Sequence, residues 1–253
     1  MKTKRKNNFT KPIFVTAATA VVIILTISLS SCITIRVNDL KGSGQIETKE
    51  FEVSDFNTLE FSGIGNIYIT QGDTESLKVE AENNVIDNLK VSTQGNTLSI
   101  GFKDRLINVI PTKSINYYLT VKDLRELKIS GAGNVKCEQL ITQDLTILSS
   151  GLGNMEMQLA AEELRVDISG AGKIVMSGEV QTQDITISGA GSYGAFNLES
   201  SDCRINITGL GKAELNASDT LDIRMSGIGS IEYKGNPEVA QNISGGGKIK
   251  SVD

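Results

Sequence analysis

In the second half of the chain, apolar and polar residues alternate around a recurrent Gly-x-Gly phrase. Positions two, four and six before the first glycine are apolar, as in Leu164, Val166 and Ile168. Positions four and six after it are also apolar, as in Ile174 and Met176. A period of two is typical of a strand that buries one face. Each repeat is therefore predicted to be a strand, a glycine corner, a second strand and a polar return.

The phrase recurs at a nearly constant interval. Its first glycine is Gly63, Gly131, Gly151, Gly170, Gly189, Gly209, Gly227 and Gly245. From Gly131 onward the interval is 18 to 20 residues, which is typical of a solenoid. Equivalent strands would stack in parallel, about 4.8 Å apart, and parallel connections are normally right-handed. The predicted fold is all-β, a right-handed parallel β-helix (β-solenoid), with an antiparallel sandwich as the alternative. At the corners, glycine would supply either a positive φ or room for close packing.

The repetition argues against two kinds of ligand site. A dinucleotide loop reads Gly-x-Gly-x-x-Gly, occurs once and leads into a helix, whereas no helical pattern follows these eight phrases. Calcium-binding repeats carry a regular Asp. Here the residue after the second glycine is Asn66, Asn134, Asn154, Lys173, Ser192, Lys212, Ser230 or Lys248. We therefore expect no cofactor and no metal site.

Residues 45–128 are less regular than residues 129–253. Strands are predicted in SLKVEA, NLKVST, NTLSIGF and INYYLTV, with longer returns between them. We expect irregular N-terminal β-helical coils over 45–128 and regular solenoid rungs over 129–253.

The start of the chain is predicted to be a targeting signal. Five basic residues precede an apolar run, and residues 1–31 contain no Asp or Glu. The run ends in Leu29, Ser30, Ser31 and Cys32, which resemble a bacterial lipobox. This resemblance implies a lipoprotein signal peptide over 1–31, lipidation of Cys32 and a short tether over 32–44. The alternative is an uncleaved membrane anchor.

Both interpretations place the remaining chain outside the cytoplasmic membrane. Ile-Thr-Ile-Arg follows Cys32 instead of acidic residues, which favours the periplasmic side of the outer membrane over surface display. Without residues 1–31, 20 basic residues face 30 acidic ones, a net charge of −10. Such a body would repel phosphate backbones, so nucleic acid is not an expected partner.

The residue types argue against catalysis. The chain has no His, the commonest general base and metal ligand. Its carboxylates are scattered, so no catalytic residue is predicted, and a polysaccharide-acting enzyme is the least favoured class. Outward aromatic residues, which serve as sugar platforms, are Tyr68 and Tyr118, whereas Tyr117 and Tyr233 are predicted to point inward.

Two further sets of side chains have predicted roles. Cys137 and Cys203 fall at inward positions three to four rungs apart, about 14–19 Å, whereas a disulfide needs Cα atoms within about 7 Å. Free buried thiols are therefore predicted, with a disulfide as the alternative.

The residue before each first glycine is Ser62, Ser130, Ser150, Ser169, Ser188, Thr208, Ser226 or Ser244. These hydroxyls either form a ligand-binding ladder or, as we favour, close turns by bonding to their own backbone.

Charge alternates along one outward row, five residues before the first glycine. On consecutive rungs this row reads Arg165, Asp184, Arg204 and Asp222. Parallel stacking would bring opposite charges within about 4.8 Å of each other, and a slip of one rung would oppose like charges. The row is therefore predicted to fix the register of the rungs.

The stretch GSGQIETKEFEVSDFNTLEFSGIGNIYITQGD, followed by SGxG rungs, resembles the head GIN domain family of auto-transporter adhesins. The match rests on residues 63–67 and on ITQGD, which ends at Asp73, and it covers roughly residues 45–250. It implies an envelope or secreted β-helical domain with a binding role and supplies no catalytic residues. We expect a non-enzymatic cell-envelope lipoprotein that binds a glycan or a protein. The alternative is a structural or self-assembling spacer module.

Overall fold

The computed structural model describes residues 38–104 and 107–252. The predicted signal peptide and lipobox, with Cys32, lie outside these residues. Within them the chain forms 19 strands and one four-residue helix, α1 (Asn83–Ile86). The strands are β1 (Asn38–Lys41), β2 (Ile46–Phe51), β3 (Thr58–Phe61), β4 (Ile64–Gln71), β5 (Ser76–Glu82), β6 (Leu89–Gln94), β7 (Thr97–Phe102), β8 (Ile107–Ile110), β9 (Asn116–Val121), β10 (Glu126–Ile129), β11 (Ala132–Ile141), β12 (Asp144–Ser149), β13 (Leu152–Ile168), β14 (Ala171–Ile187), β15 (Ser192–Ile207), β16 (Leu210–Met225), β17 (Ile228–Lys234), β18 (Glu238–Ile243) and β19 (Gly246–Ser251).

Two parallel ladders, one on each side of the glycine corners, build the body. Before the corner, β3, β10, β12, β13, β14, β15, β16 and β18 stack in order. After it, β4, β11, β13, β14, β15, β16, β17 and β19 do the same. The predicted β-solenoid is confirmed, with stacked parallel coils in about seven turns. The polar returns within β13 to β16 are not loops, because these strands run continuously from one corner to the next.

The N-terminal coils do not stack in chain order. The coil formed by β7 and β9 lies on the outer side of the β3 and β4 coil, although it follows it in sequence. Strand β5 then pairs antiparallel with β9, β2 with β5, and β6 with β7. Strand β1, inside the segment expected to be a tether, pairs in parallel with β8. Antiparallel strands therefore cover this end of the parallel ladders.

The corners require glycine because their backbones approach very closely. A Cβ on Gly189 would overlap with the carbonyl oxygen of Gly170, and the same holds at each first glycine from Gly131 to Gly245. None of these first glycines has a positive φ. Of the two reasons expected for glycine, close packing therefore applies at this position.

The inward rows of the middle coils are mostly apolar and almost fully buried, and Gln183 is a polar residue within them. Gln183 lies between Leu164 and Cys203 in register. Its side-chain oxygen accepts a hydrogen bond from the Tyr193 hydroxyl at 3.0 Å, and its amide nitrogen donates to Ser200 Oγ at 2.7 Å. The interior thus tolerates a polar side chain because each of its groups is paired.

Cys137 and Cys203 are free and buried, as predicted. Burial raises the pKa of the Cys137 thiol to about 11, and it raises the pKa of Cys203 as well. Since the thiolate is the reactive form, both groups act as small apolar residues.

The predicted charge row is confirmed. Arg165, Asp184, Arg204 and Asp222 are partners in register on four consecutive coils. Arg204 lies 3.6 Å from both Asp184 and Asp222, whereas Arg165 pairs with Asp167 at 3.2 Å. Because these side chains are largely exposed, each pair is worth only about 0–1 kcal/mol.

We expect Gly189→Ala to lower the free energy of unfolding by about 2 kcal/mol, because the new Cβ forces adjacent coils apart. Gly246→Ala is the matched control, since its new Cβ would lie 3.7 Å from the nearest side-chain atom, on Ile228. Urea denaturation measures both. Equal losses in the two variants would show that corner contact does not set the stability.

We expect Asp184→Lys to destabilise the protein by about 1 kcal/mol more than Asp184→Ala, because it places three cations in a row. The difference should shrink in high salt, which screens exposed charges. Thermal melts at two ionic strengths measure it. Identical melting temperatures for the two variants at low salt would remove the row's role in register.

Candidate functional site

The outward residues of the corner form three straight rows along the solenoid, which we call the corner edge. Their positions are one residue before, one after and three after each first glycine: the hydroxyl row, the middle row and the third row. Because the coils stack in register, neighbours in a row are about 4.8 Å apart. The glycine backbone therefore converts a sequence repeat into a continuous surface.

The middle row is apolar and exposed. It consists of Ile64, Ala132, Leu152, Ala171, Ala190, Leu210, Ile228 and Gly246. The exposed fractions of Leu152, Leu210 and Ile228 are 62%, 60% and 63%. Contiguous exposed apolar side chains mark interaction surfaces, whereas isolated ones need no explanation.

The hydroxyl row does not close the turns, contrary to expectation. The backbone N–H of Ser188 donates to the Ile168 carbonyl of the preceding coil at 2.9 Å, and the other corners repeat this bond between coils. One hydroxyl, of Ser130, lies 3.4 Å from a backbone carbonyl. Among the residues that the structure describes, the hydroxyls of Ser150, Ser169, Ser188, Thr208, Ser226 and Ser244 form no hydrogen bond. They face solvent, so the ladder interpretation is favoured over turn closure.

The third row changes its chemistry along the axis. At the N-terminal end the Asn66 amide donates to Asn116 at 3.0 Å, and the Asn134 amide donates to Asn66 at 3.1 Å. Further along, Lys212 lies 2.6 Å from Glu214, and this hydrogen bond raises the pKa of Lys212. Lys173 has no hydrogen bond or ion pair within the described part of the chain.

Tyr68 and Tyr118 face outward, as predicted, but they stack on each other. Their ring centroids are 5.3 Å apart with planes inclined at 16°. On the opposite neighbouring strand, Lys78 Nζ lies 4.9 Å from the Tyr118 centroid. Both faces of Tyr118 are therefore occupied, and the pair consolidates the N-terminal coils instead of offering a free platform.

A shallow recess interrupts the middle row. Ala171 and Ala190 lie between Leu152 and Leu210, which are three coils or about 14 Å apart. The recess has a volume of about 580 Å³ and includes Lys173 and Ser192 in its lining. No carboxylate of the described residues lines it.

A larger recess of about 1070 Å³ lies at the N-terminal end and contains several acids. Its most buried acid, Glu75, accepts the backbone N–H of Asp55 at 2.6 Å and that of Phe56 at 3.4 Å. Lys122 lies 3.7 Å from it. Glu75 thus holds a loop in place, which is a structural task.

Two further findings concern residues 38–104 and 107–252. They contain no cluster of three or more His, Cys, Asp or Glu side chains that could hold a metal ion. None of their helices is long and apolar enough to cross a bilayer.

These features define a parallel β-solenoid with an exposed amphipathic edge. Residues 55–237 match the family described as "Putative auto-transporter adhesin, head GIN domain", and the chain belongs to this family. Membership indicates a cell-envelope or surface protein with an adhesin-like role. No protein of curated function shows significant sequence similarity to the chain.

Crystal structures of several bacterial proteins share the fold. A putative adhesin from Bacteroides fragilis is 29% identical with a TM-score of 0.80, covering 84% of this chain and 100% of its own. A putative adhesin from Parabacteroides merdae is 25% identical with a TM-score of 0.67, covering 85% and 100%. A protein from Parabacteroides distasonis, described as a putative lipid binding protein, is 24% identical with a TM-score of 0.70, covering 85% and 100%, and shows the fold alone.

The middle row was not predicted as part of a site, although its signal is in the sequence. The middle residue of the phrase is apolar in seven of eight repeats, where an ordinary surface turn would be polar. In the sequence, Lys173 indicates only that the repeat disfavours calcium. Its isolation depends on neighbours in other coils, which a linear reading does not display.

We expect Ser188→Ala to change the free energy of unfolding by less than about 0.5 kcal/mol, as for other surface substitutions. A hydroxyl that closed the turn would cost about 1 kcal/mol when removed. Thr208→Ala provides a second position in the same row. Losses above 1 kcal/mol at both positions, measured by urea denaturation, would restore the structural interpretation of the row.

Proposed function

We propose that the protein is a non-enzymatic, adhesin-like lipoprotein of the cell envelope that binds its partner across the corner edge. The observation that carries this proposal is the middle row, in which Leu152, Leu210 and Ile228 are each about three-fifths exposed. Solvent-facing hydroxyls flank this row along the solenoid. An apolar strip with hydrogen-bonding groups beside it suits recognition of a glycan or a protein.

Membership in a family of adhesins supports a binding role. The acids of the N-terminal recess give little support to an enzyme, because Glu75 is engaged by backbone amides. The edge also lacks the carboxylate pair that glycoside hydrolysis needs. In this proposal residues 1–31 are a signal peptide, Cys32 carries the lipid and the solenoid extends from the outer membrane, on its periplasmic side or at the surface.

The edge is tested with the full chain and a variant that carries Leu152→Ser, Leu210→Ser and Ile228→Ser. Because the three side chains are exposed, the variant should fold with little loss of stability. Both proteins are applied to arrays of glycans and of envelope and matrix proteins. We expect at least one ligand of the wild type to be lost in the variant. Ile141→Ser, an exposed position on a return and 58% exposed, should retain it. Absence of any edge-dependent ligand would contradict the proposal.

The anchor is tested by metabolic labelling with a clickable fatty acid. We expect label on the wild type and none on Cys32→Ala, since lipidation needs that thiol. Label on both proteins, or on neither, would leave the lipobox interpretation wrong. Protease treatment of intact cells then separates surface display, in which the solenoid is digested, from the periplasmic orientation, in which it is protected.

A second candidate function is that of a self-assembling spacer. It is favoured by β18 and β19, which pair with β16 and β17 on one side and have no strand partner on the other among the described residues. Ile243 of β18 is 40% exposed. Open edges of this kind can pair with another chain. Sedimentation velocity should then show mass increasing with concentration, and a constant monomer mass would reject the spacer.

A further inference from the structure

The recess in the corner edge has an unusual electrostatic setting. A further outward row consists of the residues five positions after each first glycine, and we call it the fifth row. On successive coils it carries Glu156, Val175, Gly194, Glu214 and Glu232. The acids are missing on the two coils that hold Ala171 and Ala190. Lys173, on one of these coils, is therefore left without a counter-ion among the described residues.

Lys212, on a neighbouring coil, shows how an acid of the fifth row pairs with a lysine of the third row. One coil beyond the recess floor, Glu214 lies 2.6 Å from the Lys212 ammonium and neutralises it. At Lys173 the corresponding fifth-row residue is Val175, and the next is Gly194. Lys173 forms no ion pair of its own among the described residues, so its ammonium can pair with an anionic group of a ligand. The Glu214 carboxylate, which is bonded to Lys212, also approaches Gly194 and is the internal competitor for this ammonium.

The rest of the recess suits a carbohydrate. Its floor is the apolar surface of Ala171 and Ala190, which a pyranose ring can cover with its C–H groups. Ser192 and Asn154 are polar residues of its lining, and the unpaired hydroxyls of Ser169 and Ser188 lie one residue before the same glycine corners. An aliphatic chain placed here would leave these hydroxyls and the ammonium without hydrogen bonds, and a span of about 14 Å is short for a protein interface.

We propose that this recess binds a carboxylate-bearing saccharide, with Lys173 pairing with the carboxylate and the serine hydroxyls bonding to ring hydroxyls. The inference rests on the proposed binding function and names its ligand class. A single ion pair with a few hydrogen bonds gives modest affinity for one site, and many copies on one envelope would raise the avidity.

The test uses the full chain in detergent, with a uronic-acid oligosaccharide as the probe and its fully methyl-esterified form as the neutral counterpart. Titration calorimetry measures both. We expect binding of the acid form, and at least about tenfold weaker binding of the ester, because the charge-assisted bond is lost. Equal binding of acid and ester would overturn the role of Lys173.

Two variants locate the site. Lys173→Gln removes the charge, and Ala190→Leu fills the recess with a side chain that the same row carries at Leu210. Both are expected to weaken binding at least about tenfold. Lys136→Gln, at an exposed lysine on the same sheet outside the recess, should leave binding unchanged. Equal weakening by Lys136→Gln would show non-specific attraction of a polyanion and overturn the proposal.

The outcome is distinguishable from failure of the proposed function. If the acid probe does not bind, but another array ligand is lost when Leu152, Leu210 and Ile228 are replaced, the ligand class is wrong and the edge remains a binding surface. If the probe does not bind and no ligand depends on the edge, both proposals fail. Thermal melts of each variant verify that it is folded.

Discussion

Close contact between successive glycine corners is the constraint on which the rest of the solenoid depends. The carbonyl oxygen of each first glycine occupies the space that a Cβ on the next coil would need. Backbone hydrogen bonds cross the same contact, as between the Leu210 N–H and the Gly189 carbonyl at 2.9 Å. Because a coil can neither approach further nor slip at this point, the corner sets the register of the strands on both sides of it. The apolar rows inside and the charge row outside follow from that register.

Because the corner fixes the backbone, the two faces of each strand have different roles. Inward positions must fill a continuous core, so a polar residue such as Gln183 appears only with partners for its whole side chain. Outward positions at the corner carry no such demand, since backbone hydrogen bonds to the preceding coil hold the corner in place. Their side chains are therefore free to change along the axis without disturbing the fold. The third row does so, passing from an asparagine ladder near Asn66 to alternating lysine and serine residues.

The regular coils could be predicted from the sequence because coils that are consecutive in the chain are also adjacent in space. Alternation then identifies the buried rows, and one alignment on glycine places Asp184 between Arg165 and Arg204. The N-terminal coils could not be predicted in the same way. There β7 and β9 stack outside a coil that precedes them, and antiparallel β5 covers them, so the pairing depends on contacts distant in sequence. The hydroxyl row could not be predicted for a different reason, since a serine before a glycine gives the same sequence pattern whether its hydroxyl bonds to its own backbone or faces solvent.

The recess is where the freedom of the outward rows is most informative. On the coils that begin at Gly170 and Gly189, the middle row carries the short side chains of Ala171 and Ala190. On the same coils the fifth row carries Val175 and Gly194 in place of an acid. These rows lie on different parts of the surface, and neither change is required by the core or by the corner contact. The smaller side chains of the middle row create room, and the missing acids of the fifth row leave Lys173 without an ion pair. The first change alone would give an uncharged depression, and the second alone would give an unpaired charge on a surface without a depression. Together, on the same two coils, they give a shallow depression whose lining contains Lys173 and no carboxylate, and this coincidence is the basis on which we propose a saccharide ligand.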